Sequence, residues 1–337
     1  MIRAPVNPVL LSWARERAGR APEDLAGRFP KLGEWEAGTR QPTLRQVDAF
    51  ASSVSVPVGY LFLSEPPAEP MPIPDFRTAA GTPDAKPSPD LLDVIHACQA
   101  RQAWYRSFAR MEGRQPLSFV ASASRSESPQ RVAAQMRETL GFDVADRRTR
   151  PTWTESLRRL IAAADAAGVL VMVSGIVASN THRPLDPKEF RGFALSDPLA
   201  PLVFVNGAAA KAAQMFTLAH KLAHLWLGTS ALCDCTASPS PSLGDHEVWC
   251  NAVAEQFLAP LATLREETDW LKPLKQRHGE GSSFHHTTLS RVGRRFAEAL
   301  IVSTLEGQTL YRDAYCLLGV RRGSTFEELA RRVAVGP

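Results

Sequence analysis

The residues that could do chemistry are concentrated in one apolar run, from Phe216 to His224. This run contains His220 and His224, and most of its other residues favour a helix. Residues at i and i+4 lie on the same helix face, so the two imidazoles are close enough to bind one metal ion. Imidazole nitrogen is a common zinc ligand. The spacing therefore predicts two ligands of a zinc site on one helix.

The residue after the first histidine is Lys221, and it changes what such a site could catalyse. In zinc metalloproteases with the motif His-Glu-x-x-His, this position holds the glutamate that takes a proton from the zinc-bound water. A protonated lysine cannot act as that base, and general-base assistance is worth about 10²- to 10⁴-fold in rate. We therefore expect Zn²⁺ binding with impaired hydrolysis.

Three arrangements of Lys221 are compatible with the sequence. The ammonium could point to solvent and leave a bound but nearly inert zinc ion, and this is the arrangement we expect. It could instead lose its proton beside the metal and act as a poor base, or pair with a carboxylate and displace the metal. A deliberate substitution at this position is a further alternative.

A catalytic zinc site needs a third protein ligand, and the segment 245–260 offers one. This segment is predicted to be a helix ended by Pro260, in which Glu247 and Asn251 share a face. Glu247 lies 23 residues after His224, which leaves room for a loop and a returning helix. We expect Glu247 to be the ligand and Asn251 to support it, with His246 and Glu255 as rivals for the ligand position.

Other potential ligands lie outside this constellation. Cys233 and Cys235 could form a soft-metal pair with Cys250, although free thiols are the simpler interpretation. The adjacent His285 and His286 could reach the site and stabilise an oxyanion, or lie in a solvated loop.

Length and composition indicate a globular protein. The 337 residues are enough for about two domains, and 44% hydrophobic with 22% charged residues is normal for a globular chain. Five cysteines fit a reduced cytoplasmic protein better than a disulfide framework. We find no apolar run of about 18 residues and no signal pattern, so we expect a cytoplasmic protein without a membrane partner.

The sequence patterns around these residues predict a mainly helical α+β fold. Short β-branched or apolar runs at 169–173, 193–195 and 202–205 indicate strands, and the histidine helix follows them. Helices are predicted on both sides of these strands, including one continuous amphipathic helix from Ser290 to Leu305.

Residues 1–64 predict a separate all-helical unit. The sequence Leu32-Gly33-Glu34-Trp35-Glu36-Ala37-Gly38, followed by Pro42-Thr43-Leu44, resembles the XRE-type helix-turn-helix. The resemblance implies a third helix in the DNA major groove. It would bring four side chains to the DNA, namely Arg28, Lys31, Glu34 and Arg40. Eight Lys/Arg and six Asp/Glu give this unit a net charge of only +2, and a protein-binding helical module is the alternative.

Residues 65–154 predict a linker and a helical connector. Eight of the 26 prolines fall in residues 65–89, which excludes a helix there and favours an extended chain. A helix from Asp90 to Met111 follows, with apolar residues at helical spacing, and it is interpreted as a core or dimer-contact element. A homodimer is therefore compatible with the sequence.

The C-terminal region resembles the ImmA/IrrE metallopeptidases. The resemblance rests on Phe190-Arg191-Gly192-Phe193-Ala194-Leu195, the His220/His224 helix, and Glu247-x-x-x-Asn251 with Phe257-Leu258-Ala259-Pro260. It covers about residues 155–335, so we assign residues 155–337 to a zincin-like peptidase domain with a small sheet. Pro74-Asp75-Phe76-Arg77-Thr78 fits members that carry an XRE-type domain. The resemblance implies that His220, His224 and Glu247 bind zinc and that Lys221 occupies the position of the catalytic glutamate.

These observations lead to three hypotheses. The first is a transcriptional regulator or antitoxin-like protein whose zinc domain recognises a partner protein with little or no catalysis. The second is an active site-specific zinc endopeptidase that cleaves a repressor or antitoxin-like protein, as the resemblance implies for the family. The third is a DNA-binding repressor that senses metal or a partner.

Overall fold

The computed structural model describes residues 3–74, 87–142, 153–233, 245–258 and 284–334. The chain divides into two compact units, one of residues Met1–Pro72 with Lys86–Leu92, the other of residues Ile73–Ala85 with Asp93–Pro337. The described residues form a mainly helical α+β fold with one small sheet, which confirms the predicted fold class. None of the helices within these ranges is long and apolar enough to cross a membrane.

The first unit is all-helical, as predicted for residues 1–64. Its elements are α1 (Pro8–Arg17), α2 (Pro22–Ala26), α3 (Leu32–Glu36), α4 (Leu44–Ser53) and a 3₁₀ turn (Val58–Phe62). Asn7 caps α1 by accepting a hydrogen bond from the Val9 amide, and Thr43 with Gln46 forms a capping box at α4. The unit is closed by a buried core that includes Leu10, Trp35 and Phe50.

The second unit places helices around a four-stranded sheet. Its helices are α5 (Pro89–Met111), whose first residues belong to the first unit, α6 (Pro129–Leu140), α7 (Trp153–Ala166), α8 (Lys211–Leu227), α9 (Asp245–Leu258), α10 (Phe284–Val292), α11 (Arg294–Leu305), α12 (Tyr311–Leu318) and α13 (Gly323–Ala334). Its strands are β1 (Leu170–Ser174), β2 (Gly192–Leu195), β3 (Leu202–Asn206) and β4 (Ala231–Cys233).

The sheet has the order β1-β3-β2-β4 and mixes both pairings. Strand β3 runs parallel to β1 and antiparallel to β2, and β2 pairs antiparallel with β4. The three predicted strands are confirmed. Strand β4 was not predicted, because three residues beside a Ser- and Pro-rich segment carry no alternating pattern.

The two faces of the sheet pack against different helices. Val171, Ala194 and Val203 belong to one buried core with residues of α8, α9 and α7. Successive residues of a strand point to opposite faces, so Met172 points the other way. There its sulfur lies 3.8 Å from the Cys98 sulfur of α5. Helix α8 therefore covers one face, and α5 contacts the other.

Two glycines set the distance between helices and sheet. A Cβ added to Gly192 would lie 2.5 Å from the Phe204 carbonyl oxygen and 2.7 Å from a methyl carbon of Thr217 in α8. Gly293, with φ +82°, separates α10 from α11, and a Cβ there would lie 2.8 Å from the Val171 carbonyl oxygen. The predicted continuous helix from Ser290 to Leu305 is therefore wrong. The chain breaks where it approaches β1.

Candidate metal centre

Helix α8 carries the two histidines in a fully buried position. All residues from Thr217 to Trp226 are buried, so the helix is covered around its circumference rather than along one stripe. It packs against α7, α9, β2 and β3, and ends at Gly228 in the left-handed conformation. His220 and His224 have no exposed surface, which places their imidazoles in a low-dielectric environment.

Helix α9 brings Glu247 to both histidines. The Nε2 atom of His220 lies 3.1 Å from Glu247 Oε2, and the Nε2 atom of His224 lies 3.1 Å from Glu247 Oε1. The two Nε2 atoms are 3.0 Å apart. The three potential ligand atoms all lie within 4.8 Å of one another. Two elements separated in the sequence thus converge on a single point.

This donor set suits zinc. Two imidazoles and one carboxylate form a ligand set of catalytic zinc sites, which keep a fourth position for water or substrate. Bonds of about 2.0–2.1 Å in a tetrahedron separate neighbouring ligand atoms by about 3.3 Å. The separations of 3.0 and 3.1 Å are close to that value, so an ion would fit after small side-chain shifts.

Thr229 orients His224, a role that the sequence did not suggest. The His224 Nδ1 atom lies 3.0 Å from Thr229 Oγ1, and the Thr229 amide donates to the His224 carbonyl at 2.9 Å. When Nδ1 donates to Thr229, the Nε2 atom presents its lone pair to an ion. The only signal in the sequence is a hydroxyl directly after the Gly228 cap.

Lys221 is buried, contrary to the expectation that its ammonium points to solvent. Its side chain has no exposed surface and is one of the largest fully buried side chains. The sequence could not show this, because burial here depends on the neighbours that surround α8. Lys221 is therefore part of the interior that holds the cluster.

Opposing effects act on the Glu247 carboxyl. Burial raises its pKa, whereas hydrogen bonds from His220 and His224 and the charge of Lys221 lower it. The lowering effects prevail and hold the pKa of Glu247 well below its usual range. The carboxylate is thus ionised and available as a ligand, and Lys221 supplies nearby positive charge.

The residues that competed with Glu247 as third ligand, and the residue expected to support it, are not part of the cluster. Among the described residues the metal-ligand group contains neither His246 nor Glu255. Glu255 is exposed and His246 half-buried. Asn251 follows Glu247 by one turn of α9, and its amide oxygen is buried without a hydrogen-bond partner in the described ranges.

The cysteines and the histidine pair add no ligand that the structure describes. Cys250 is a buried free thiol, the side chain of Cys233 is not described, and Cys235 lies outside the described residues. The side chains of His285 and His286 are likewise not described.

The four predicted DNA contacts lie on or beside α3. Arg28 is exposed, with its guanidinium 5.4 Å from the centre of the Phe29 ring. Lys31 is half-buried at the N-terminal cap of α3. Glu34 is exposed and forms an ion pair with Arg40 at 3.3 Å. This pair partly neutralises the surface that α3 presents.

Comparison with known families supports one part of the sequence interpretation. Residues 164–290 match the model of the peptidase M78 family, described as the IrrE N-terminal-like domain. Residues 292–332 match a domain of unknown function. The first match contains His220, Lys221, His224 and Glu247, and it supports the ImmA/IrrE resemblance in this region. No curated protein and no solved structure matches the chain significantly.

Proposed function

We propose that this protein is a regulator whose zinc-binding, peptidase-derived domain recognises a partner protein and hydrolyses it poorly or not at all. The observation that carries the proposal is the buried Lys221 beside the convergent His220, His224 and Glu247. The three ligands preserve a metal site, whereas the residue at the base position cannot accept a proton while it is charged. The partner would be a repressor or antitoxin-like protein in the cytoplasm.

The electrostatics favour weak catalysis. Zinc, when bound, supplies Lewis acidity and a water of lowered pKa. A buried ammonium close to it repels the cation, and two charges a few Å apart interact by several kcal/mol at intermediate dielectric. Lys221 therefore lowers zinc affinity as well as removing the base.

The active-peptidase alternative needs a base, either a deprotonated Lys221 or another group such as Glu255. Glu255 is exposed, whereas all three ligands are buried. Glu255 follows Glu247 by eight residues, which is about 12 Å along α9, so its carboxylate lies beyond hydrogen-bond reach of a water held by the three ligands. The geometry thus favours the impaired enzyme over the active one.

Zinc content tests the metal centre. We expect purified protein to bind about one zinc ion per chain and His224→Ala protein to bind almost none, because two protein ligands hold zinc much less firmly than three. Elemental analysis after dialysis against micromolar zinc measures the content. His246→Ala is the matched control, since it removes a histidine outside the cluster and should leave the zinc content unchanged. Equal zinc in wild type and His224→Ala would overturn the assignment.

We also propose that residues 3–62 bind duplex DNA through α3 and its flanks. The supporting observation is a helical unit in which Arg28, between α2 and α3, and Glu34 of α3 are exposed. The net charge of +2 is small, so the affinity should be modest and strongly dependent on salt. The proposal makes the protein a DNA-bound regulator.

Gel retardation with duplexes from the DNA flanking its own gene tests this proposal. We expect retardation at about 50 mM salt and weaker retardation at about 200 mM. Arg28→Ala should make the plot of log affinity against log salt concentration less steep, by about 1 in its slope. Arg20→Ala is the control, because it removes an equally exposed arginine outside residues 28–40. Absence of retardation at low salt with every flanking duplex would contradict DNA binding.

A further inference from the structure

A cavity lies on the sheet face that α8 does not cover. It has a volume of about 180 Å³ and is lined by α5, the segment after β1, and α10. Its walls include Ser174 at the end of β1 and Phe204 of β3, which are on the same side of the sheet as Met172. The cavity is therefore separated by the sheet from the core that holds the metal cluster. Its volume far exceeds the ~30 Å³ share of one water.

Two buried arginines line this cavity, and no carboxylate among the described residues neutralises them. Arg101 is 7% exposed and Arg291 is 4% exposed. Asp93 is the acidic residue among the described lining residues, and its carboxylate pairs with Arg183 at 2.7 Å. Within the described ranges, no ion pair joins Arg101 or Arg291 to a carboxylate. Buried guanidinium groups normally have such a partner, because burial of an unpaired charge is costly.

The two charges also act on each other. Burial and the charge of Arg101 lower the pKa of Arg291 to about 10. Burial is likewise the main cause that lowers the pKa of Arg101. Two positive charges thus lie close together in the interior, and a bound anion would offset their mutual repulsion.

A purely structural role explains only part of this arrangement. Arg101 Nε donates to the Leu317 carbonyl at 3.0 Å, and Arg291 Nη2 lies 3.5 Å from both the Leu318 carbonyl and Thr288 Oγ1. Cations at a helix C-terminus stabilise its last carbonyls, so both arginines help to end α12. A guanidinium has five N–H donors, however, and Arg291 Nε is buried without a hydrogen-bond partner in the described residues. Donors therefore remain for a ligand.

We propose that this cavity binds a small oxyanion, a phosphate or the phosphate group of a phosphomonoester, through Arg101 and Arg291. Two guanidinium forks match the oxygens of a tetrahedral dianion in geometry and charge. Ala178 lines both the cavity and an open neighbouring groove that includes His182, Arg321 and Arg322. This groove has room for the organic part of a phosphomonoester. The site depends on neither zinc nor the proposed regulatory function.

Titration of the full chain tests the proposal. Inorganic phosphate and glycerol phosphate are titrated separately by calorimetry at constant ionic strength, with acetate as the carboxylate comparison. We expect saturable 1:1 binding of phosphate, and Arg291→Met should weaken it about 10- to 100-fold because charge-assisted hydrogen bonds are lost. Tighter binding of glycerol phosphate would assign a phosphomonoester, and equal binding would assign free phosphate.

Two controls isolate the cavity. Arg312→Met removes an exposed arginine of α12 that does not line the cavity, and it should bind as wild type does. Wild-type protein treated with chelator should also keep the binding, which excludes phosphate bound at zinc. If Arg291→Met does not fold, thermal unfolding of wild type is measured instead, since phosphate at millimolar concentration, too dilute for general salt stabilisation, should raise the midpoint. No saturable binding and no rise in the midpoint, or undiminished binding by Arg291→Met, would overturn the proposal.

Discussion

Replacement of Lys221 by glutamate is expected to raise the rate of peptide-bond hydrolysis about 10²- to 10⁴-fold, the usual contribution of a positioned general base. Lys221 follows His220 in the fully buried part of α8, at the position where the His-Glu-x-x-His motif has its base. A carboxylate there would accept the proton of the attacking water and remove the charge that repels the metal. The same substitution should therefore raise zinc affinity.

The measurement compares new protein N-termini in a soluble cell extract incubated with each zinc-loaded protein. Lys221→Gln is the matched control, because it removes the positive charge without adding a base, and it should bind zinc with no gain in cleavage. His224→Ala in the Lys221→Glu background should abolish the new N-termini. If wild type already cleaves as fast as Lys221→Glu, the impaired-enzyme proposal fails and the active-peptidase alternative takes its place.

The metal cluster was the most predictable part of the molecule, because helical spacing alone places His220 and His224 on one face. Glu247 was harder to predict, since it reaches the cluster from another helix after a segment outside the described residues. Its position relative to Asn251 and the family resemblance favoured it over His246 and Glu255. The structure brings Glu247 to the two histidines.

The burial of Lys221 could not be predicted, because a lysine in isolation favours solvent. Its environment is set by β2, β3, α7 and α9, which surround α8 through contacts distant in sequence. The same limitation applies to Arg291, which lies within the one continuous helix predicted from Ser290 to Leu305. The break at Gly293 follows from its close approach to β1, and Arg291 is buried near that break.

The helical nature of residues 3–62 was also predictable, because caps and turn residues are local signals. Asn7 and Thr43, which are residue types favoured at helix N-termini, cap α1 and α4. Whether this unit binds DNA depends on its surface rather than on its helices. The XRE-type assignment therefore stays a prediction that the gel-retardation experiment addresses.

Glu247→Gln is expected to lower the free energy of unfolding of the zinc-free protein by about 3–5 kcal/mol, the typical cost of removing one charge from a buried ionic interaction. Without zinc, the negative charge of Glu247 offsets that of the buried Lys221, and its carboxylate oxygens lie 3.1 Å from the Nε2 atoms of both imidazoles. A neutral amide removes that compensation, whereas glutamine nearly preserves the volume. Urea unfolding in the presence of a chelator measures the loss.

A double-mutant cycle separates electrostatic compensation from simple packing. Lys221→Met removes the opposite charge. The double variant, Lys221→Met with Glu247→Gln, should therefore lose less free energy of unfolding than the two single variants lose together, by at least about 1 kcal/mol. Additive losses within about 0.5 kcal/mol would show that the two charges do not compensate each other. With zinc bound, Lys221→Met should be the more stable of the two single variants, since it keeps all three ligands and loses only the repulsion. In this view Lys221 supplies, in the zinc-free protein, positive charge that a bound ion would otherwise provide.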